Sequence, residues 1–155
     1  MIKAEVLVSL SAWKKYIKNP NNYLKKKLKK AEKKVPILKK NKLNFTLLLA
    51  GETEIKKLNR KFRKKNKTTD VLSFPFYEKK ILYNLMKKEK NNIYLGDIVI
   101  NLNEIIKQSK FFFFTKAFDK IWIHGLTHLL GYRHKSNRDF SNMQKLENRI
   151  IKSIQ

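Results

Sequence analysis

The chain has 155 residues, no cysteine and a formal net charge of +25, with 37 Lys and Arg against 12 Asp and Glu. That length suits a single domain, residues 1–155, able to bury a core without staples, and the missing cysteines exclude a disulfide framework and thiolate metal ligands and fit a reducing cytosol. The charge favours a polyanionic partner, since each neutralised phosphate releases condensed counterions; the joint abundance of Lys, Asn, Ile and Phe also points to a coding bias that inflates Lys everywhere.

Ile2, Ala4, Val6, Val8 and Leu10 alternate with more polar neighbours and predict an opening strand rather than a signal peptide. After Asn19-Pro20, Tyr23, Leu24, Leu28, Ala31 and Val35 recur at helical spacing, giving an amphipathic helix with a basic outer face that Pro36 ends. Leu43, Phe45, Leu47 and Leu49 alternate as a second strand. Gly51 then leads into a helix with the apolar stripe Ile55, Leu58 and Phe62. Thr69 to Pro75 reads as a short strand stopped by proline. Residues 77–92, rich in lysine, read as a long basic connection, partly helical and mobile.

Ile93 to Ile100 is a further strand, interrupted by Gly96-Asp97, with Asn101 or Asn103 as cap of the next helix. A helix from near Thr115 to Leu130 follows, and a last one from about Asn137 to Ile151 is expected to bury Phe140, Met143, Leu146 and Ile150. Phe111 to Phe114 is apolar but too short to cross a membrane, so no membrane partner is expected. Strands interleaved with helices indicate a small α+β (α/β-like) sheet with helices packed on it.

All three histidines fall in one eleven-residue window, from His124 through His128 to His134. His124 and His128 stand four apart in an apolar run, so a helix turns both rings out of one face with Cβ atoms roughly 5–6 Å apart. Gly131 supplies a residue able to take positive φ and end the helix, and the following turn can bring His134 back to the same point. Three neutral imidazoles with one open position make a catalytic rather than a structural zinc set. Zinc peptidases share this spacing but place a Glu directly after the first histidine as general base. Here that position is Gly125, which argues for a metal-activated hydrolase and against a peptidase.

Three blocks carry a resemblance that spans most of the chain: Leu58-Asn-Arg-Lys-Phe-Arg63 with Thr69-Asp-Val-Leu-Ser-Phe-Pro75, Leu95-Gly-Asp-Ile-Val-Ile100, and His124 to His134. The chain resembles the YbeY-type rRNA maturation endoribonucleases. The resemblance implies a four-stranded mixed sheet packed with about five helices, and a bacterial cytoplasmic, single-strand-specific, metal-dependent endoribonuclease. It also implies one Zn2+ on His124, His128 and His134, and a role in 16S rRNA 3′-end maturation and ribosome quality control. The expected partners are therefore RNA and ribosomal particles, with no small-molecule cofactor.

The family's functional arginine corresponds to Arg63, whose always-charged guanidinium can fork onto phosphate oxygens and stabilise charge growing there. Ser73 is read as lining the cleft or orienting a metal-bound water. Asp97 is read either as supporting a histidine through its second ring nitrogen or as satisfying a local turn. The chain departs from the family pattern at Arg133, where Asp is usual before the third histidine, in the basic Lys135-Ser-Asn-Arg138, and at Gln144, where Glu is common. A non-enzymatic RNA-binding assembly factor with a structural metal is the alternative reading.

Overall fold

A computed structural model describes residues 1–88, 92–110 and 113–155. Four strands form one mixed sheet: β1 (Ile2–Val8), β2 (Leu43–Ala50), β3 (Val71–Pro75) and β4 (Ile93–Asn101). Their order is β1-β2-β4-β3; β1, β2 and β4 run parallel, and β3 is an antiparallel edge beside β4. Seven α-helices occur among the described residues: α1 (Pro20–Lys34), α2 (Pro36–Lys39), α3 (Glu52–Arg63), α4 (Lys79–Lys87), α5 (Leu102–Gln108), α6 (Phe114–Leu129) and α7 (Asn137–Ile154). The α+β expectation and the mixed four-stranded sheet hold. The two helices beyond the expected five are the short α2 and α4.

The main core lies on one face of the sheet, under α1, α6 and α7, and a smaller one lies under α3 on the other. Along β4 the two faces exchange partway. Ile93 and Leu95 point into the main core, and so do Ile98 and Ile100, although the two pairs differ in parity. A bulge resolves this: the register against β2 slips between Asn44 and Thr46, opposite Gly96. Gly96 has φ +126, where a Cβ would fall on the Phe74 carbonyl, so glycine is required at this point. The interruption expected at Gly96-Asp97 is therefore an extra residue that keeps apolar side chains facing inward on both sides of it.

The partly helical reading of 77–92 holds as α4, whose Leu82 and Met86, one turn apart, are buried. Residues 89–91 of that stretch, and Phe111 and Phe112, lie outside the described residues. Phe140 is exposed rather than buried, because residues 137–142 at the start of α7 project past the core and Met143 is the first to enter it. Phe62, at the outer end of the α3 stripe, is exposed and packs edge-on against Phe74 beside the smaller core.

Candidate metal centre

α6 carries the first two histidines because its opposite face is continuously apolar. Phe118, Ile121, Trp122, Leu126 and Leu129 are buried, which leaves His124 and His128 on the flank nearest β3. The helix ends at Leu129 and Gly131 takes φ +88, the left-handed turn anticipated for it. The chain then doubles back through Tyr132 and Arg133 to His134, and one nitrogen from each of the three rings lies within 4.8 Å of the others.

Nδ1 of His128 is 3.0 Å from the Tyr132 carbonyl, which can only accept, so this nitrogen carries the ring proton. Nδ1 of His124 is 2.8 Å from a carboxylate oxygen of Glu147 on α7. The two Nε2 atoms face each other at 3.2 Å, where both can offer a lone pair to one ion. Two nitrogens bound at about 2.0–2.1 Å to one tetrahedral ion would stand about 3.3–3.4 Å apart, so the observed spacing fits a shared cation. Burial, and then the neighbouring His124, push His128 down to about 4, which keeps it in the neutral form that ligates.

The donor set opens onto a pocket of about 350 Å³ that is also lined by Arg63, Asp70, Ser73, Arg133 and Lys135. Arg63 is the last residue of α3, which Lys64 terminates in the left-handed conformation. Its Nη2 donates to the Ser73 carbonyl of β3 at 3.0 Å, and a guanidinium has further donors to spare. Ser73 is itself buried, and its Oγ has no hydrogen-bond partner among the described residues. Four expected residues, Arg63, His124, His128 and His134, therefore share one pocket with Ser73 in its wall.

Asp97 lies elsewhere. It is exposed on β4 and accepts from the Tyr94 hydroxyl at 2.5 Å, a contact three residues away in sequence, so it supports no histidine. Glu147 fills that position instead and also accepts from Thr127 at 3.3 Å. Sequence reasoning missed it, although its place between Met143 and Ile150 on an amphipathic helix would turn it toward whatever α7 packs on. Gly125, the position of the peptidase base, faces the sheet: a Cβ there would sit 2.8 Å from Cγ2 of Ile98. No side chain at 125 could reach the donor set without displacing β4.

A mixed sheet bearing an open three-histidine set beside an anchored arginine defines a candidate metal-dependent site facing a cationic pocket. A family model described as Endoribonuclease YbeY matches residues 7–155, and the chain belongs to that family. The Endoribonuclease YbeY of Pelagibacter ubique (strain HTCC1062) is 43% identical over 156 residues, covering 99% of this chain and 97% of that one. Its counterpart in Buchnera aphidicola subsp. Acyrthosiphon pisum is 42% identical over 141 residues, covering 86% and 84%. The solution structure of TM1509 from Thermotoga maritima superposes with a TM-score of 0.55 at 25% identity, over 97% of this chain and 89% of that one.

Proposed function

We propose that this protein is a metal-dependent endoribonuclease that cleaves single-stranded RNA at the pocket between α6, β3 and the end of α3. The convergence of His124, His128, His134 and Arg63 on that one pocket carries the reading, and family membership supports it. His124, His128 and His134 hold one ion, for which zinc suits three imidazole donors. When bound, such an ion supplies Lewis-acid activation of a phosphate oxygen and of water. Glu147 and the Tyr132 carbonyl hold the two α6 rings in the orientation that ligation needs. Arg63, held by the Ser73 carbonyl, directs its remaining N–H groups at the phosphate and stabilises the charge that grows there. Ser73 lines the pocket wall, where its buried Oγ, without a partner among the described residues, would orient a water.

The biological setting follows the family: maturation of the 16S rRNA 3′ end and ribosome quality control in the bacterial cytoplasm. No helix among the described residues is long and apolar enough to cross a membrane. The test is cleavage of a labelled single-stranded RNA by the zinc-loaded protein beside an Arg63→Ala variant prepared identically. The variant is expected to lose roughly 100- to 1,000-fold in rate, the usual cost of removing one preorganised charge-stabilising donor. Equal cleavage by both would discard the role of Arg63. Tight RNA binding without cleavage by either would make the protein an RNA-binding assembly factor.

A further inference from the structure

Two concavities flank the metal pocket, and they differ in charge. Toward the His134 turn, a groove of about 400 Å³ is lined by Lys79 at the start of α4, by Arg133, and by Lys145 and Arg149 of α7, together with Asp139 and Asn142. Arg133 lines both this groove and the metal pocket, so the two adjoin. On the other flank, a concavity of about 400 Å³ meets His124 and holds Asp70 and Glu147 with a single cation, Lys120. Four cations thus face one carboxylate on the first side, and one cation faces two carboxylates on the second.

Lys145 and Arg149 stand four apart, so α7 projects them from one face with Cβ atoms roughly 5–6 Å apart. All four groove cations are exposed, and none is ion-paired with a carboxylate among the described residues. Lys79 lies 5.3 Å over the Tyr132 ring, which places it at the groove wall. Four cations beside one carboxylate leave the groove net positive, and a polyanion there relieves their mutual repulsion.

We propose that the RNA strand extends from the metal centre on one side only, over Arg133 and into the groove between α4 and α7, where Lys79, Arg133, Lys145 and Arg149 hold its phosphates. This rests on the nuclease reading and extends it from the cleaved bond to the neighbouring nucleotides. The carboxylates of Asp70 and Glu147 repel the backbone on the opposite flank.

The test compares three exposed-site variants in binding a labelled single-stranded RNA across a salt series. Lys145→Gln with Arg149→Gln removes two groove cations. Lys25→Gln with Lys29→Gln removes a matched pair from α1, beside β1 at the far edge of the sheet. Lys120→Gln removes the one cation of the acidic flank. Counterion release for single strands predicts that the groove pair lowers the salt slope by about 1.4 and weakens binding roughly 25-fold at 0.1 M salt. The α1 pair and Lys120→Gln should each stay below the roughly five-fold that one phosphate contact carries at that salt. The turnover rate of the groove variant at saturating RNA should be unchanged while its KM rises.

Equal losses from the groove pair and the α1 pair would overturn the groove, and a five-fold loss at Lys120→Gln would overturn its one-sidedness. Both readouts are binding constants, so they judge the groove even if the wild type binds RNA without cutting it. Intact cleavage with no contrast between the pairs would sink the groove alone and leave the nuclease reading standing.

Discussion

The Glu147 carboxylate of α7 reaches across to α6 and meets Nδ1 of His124 at 2.8 Å. This acidic partner of His124 comes from a helix that begins only after all three histidines. A carboxylate at this nitrogen fixes the tautomer, aims Nε2 at the ion and raises its basicity. Glu147→Ala should therefore lower zinc affinity roughly 10- to 100-fold in a chelator competition. Unfolding of the metal-free protein should move little, because Glu147 is partly exposed and its loss leaves no buried charge behind. A metal affinity unchanged in Glu147→Ala would show that His124 needs no such support.

Gly125 lets α6 lie close against the sheet. A Cβ there would lie 2.8, 3.1 and 3.3 Å from three side-chain carbons of Ile98, which is fully buried on the central strand β4. Alanine gains about 1 kcal/mol in helix propensity over glycine, while overpacking costs about 1–3 kcal/mol. Gly125→Ala should then destabilise by about 1 kcal/mol, read from urea unfolding. In an Ile98→Ala background the clash is absent and the propensity gain alone remains, so Gly125→Ala should become stabilising there. The same sign in both backgrounds would show that the helix can shift away from β4 at little cost.

The parts of the site that were legible in sequence are those fixed by local geometry. The spacing of His124 and His128 is one helical turn, and Gly131 signals where that turn ends. Glu147 follows His124 by 23 residues, and its relation to the ring depends on how α7 crosses α6, which no local period encodes. The Tyr132 carbonyl carries no residue-type signal. Asp97 illustrates the converse: beside a glycine it looked placed for support, but the bulge at Gly96 turns it outward to Tyr94. In the fold, Phe140 satisfied the helical period in a turn that extends past the core.

Asp119 of α6 ties that helix to α1. It accepts from the Tyr23 hydroxyl at 3.0 Å and from Trp122 Nε1 at 2.9 Å, and pairs with Lys27 at 2.9 Å. Asp119→Ala leaves three donors without their acceptor in a mostly buried setting and should cost about 2–3 kcal/mol. Burial, and then Asp119, raise the Tyr23 hydroxyl above its ordinary value. Its contribution to stability is therefore complete below about pH 10 and is lost as pH climbs from there toward the raised folded value. Tyr23→Phe should be less stable at pH 8 by about 1 kcal/mol yet lose less on going above pH 10. An identical alkaline slope in both proteins would remove Tyr23 from the cause.

Ser73 separates stability from function. Its Oγ is buried without a partner among the described residues, while its carbonyl holds Arg63. A buried hydroxyl with no hydrogen bond carries its desolvation cost uncompensated. Removing it in Ser73→Ala keeps the backbone carbonyl and should leave stability equal or raise it by up to about 1 kcal/mol. If the hydroxyl serves a water or a substrate oxygen during cleavage, the same variant should slow RNA turnover by about 1 kcal/mol of barrier, roughly five-fold. A more stable but slower enzyme is the expected result. A more stable enzyme with unchanged turnover would reduce Ser73 to the carbonyl that positions Arg63.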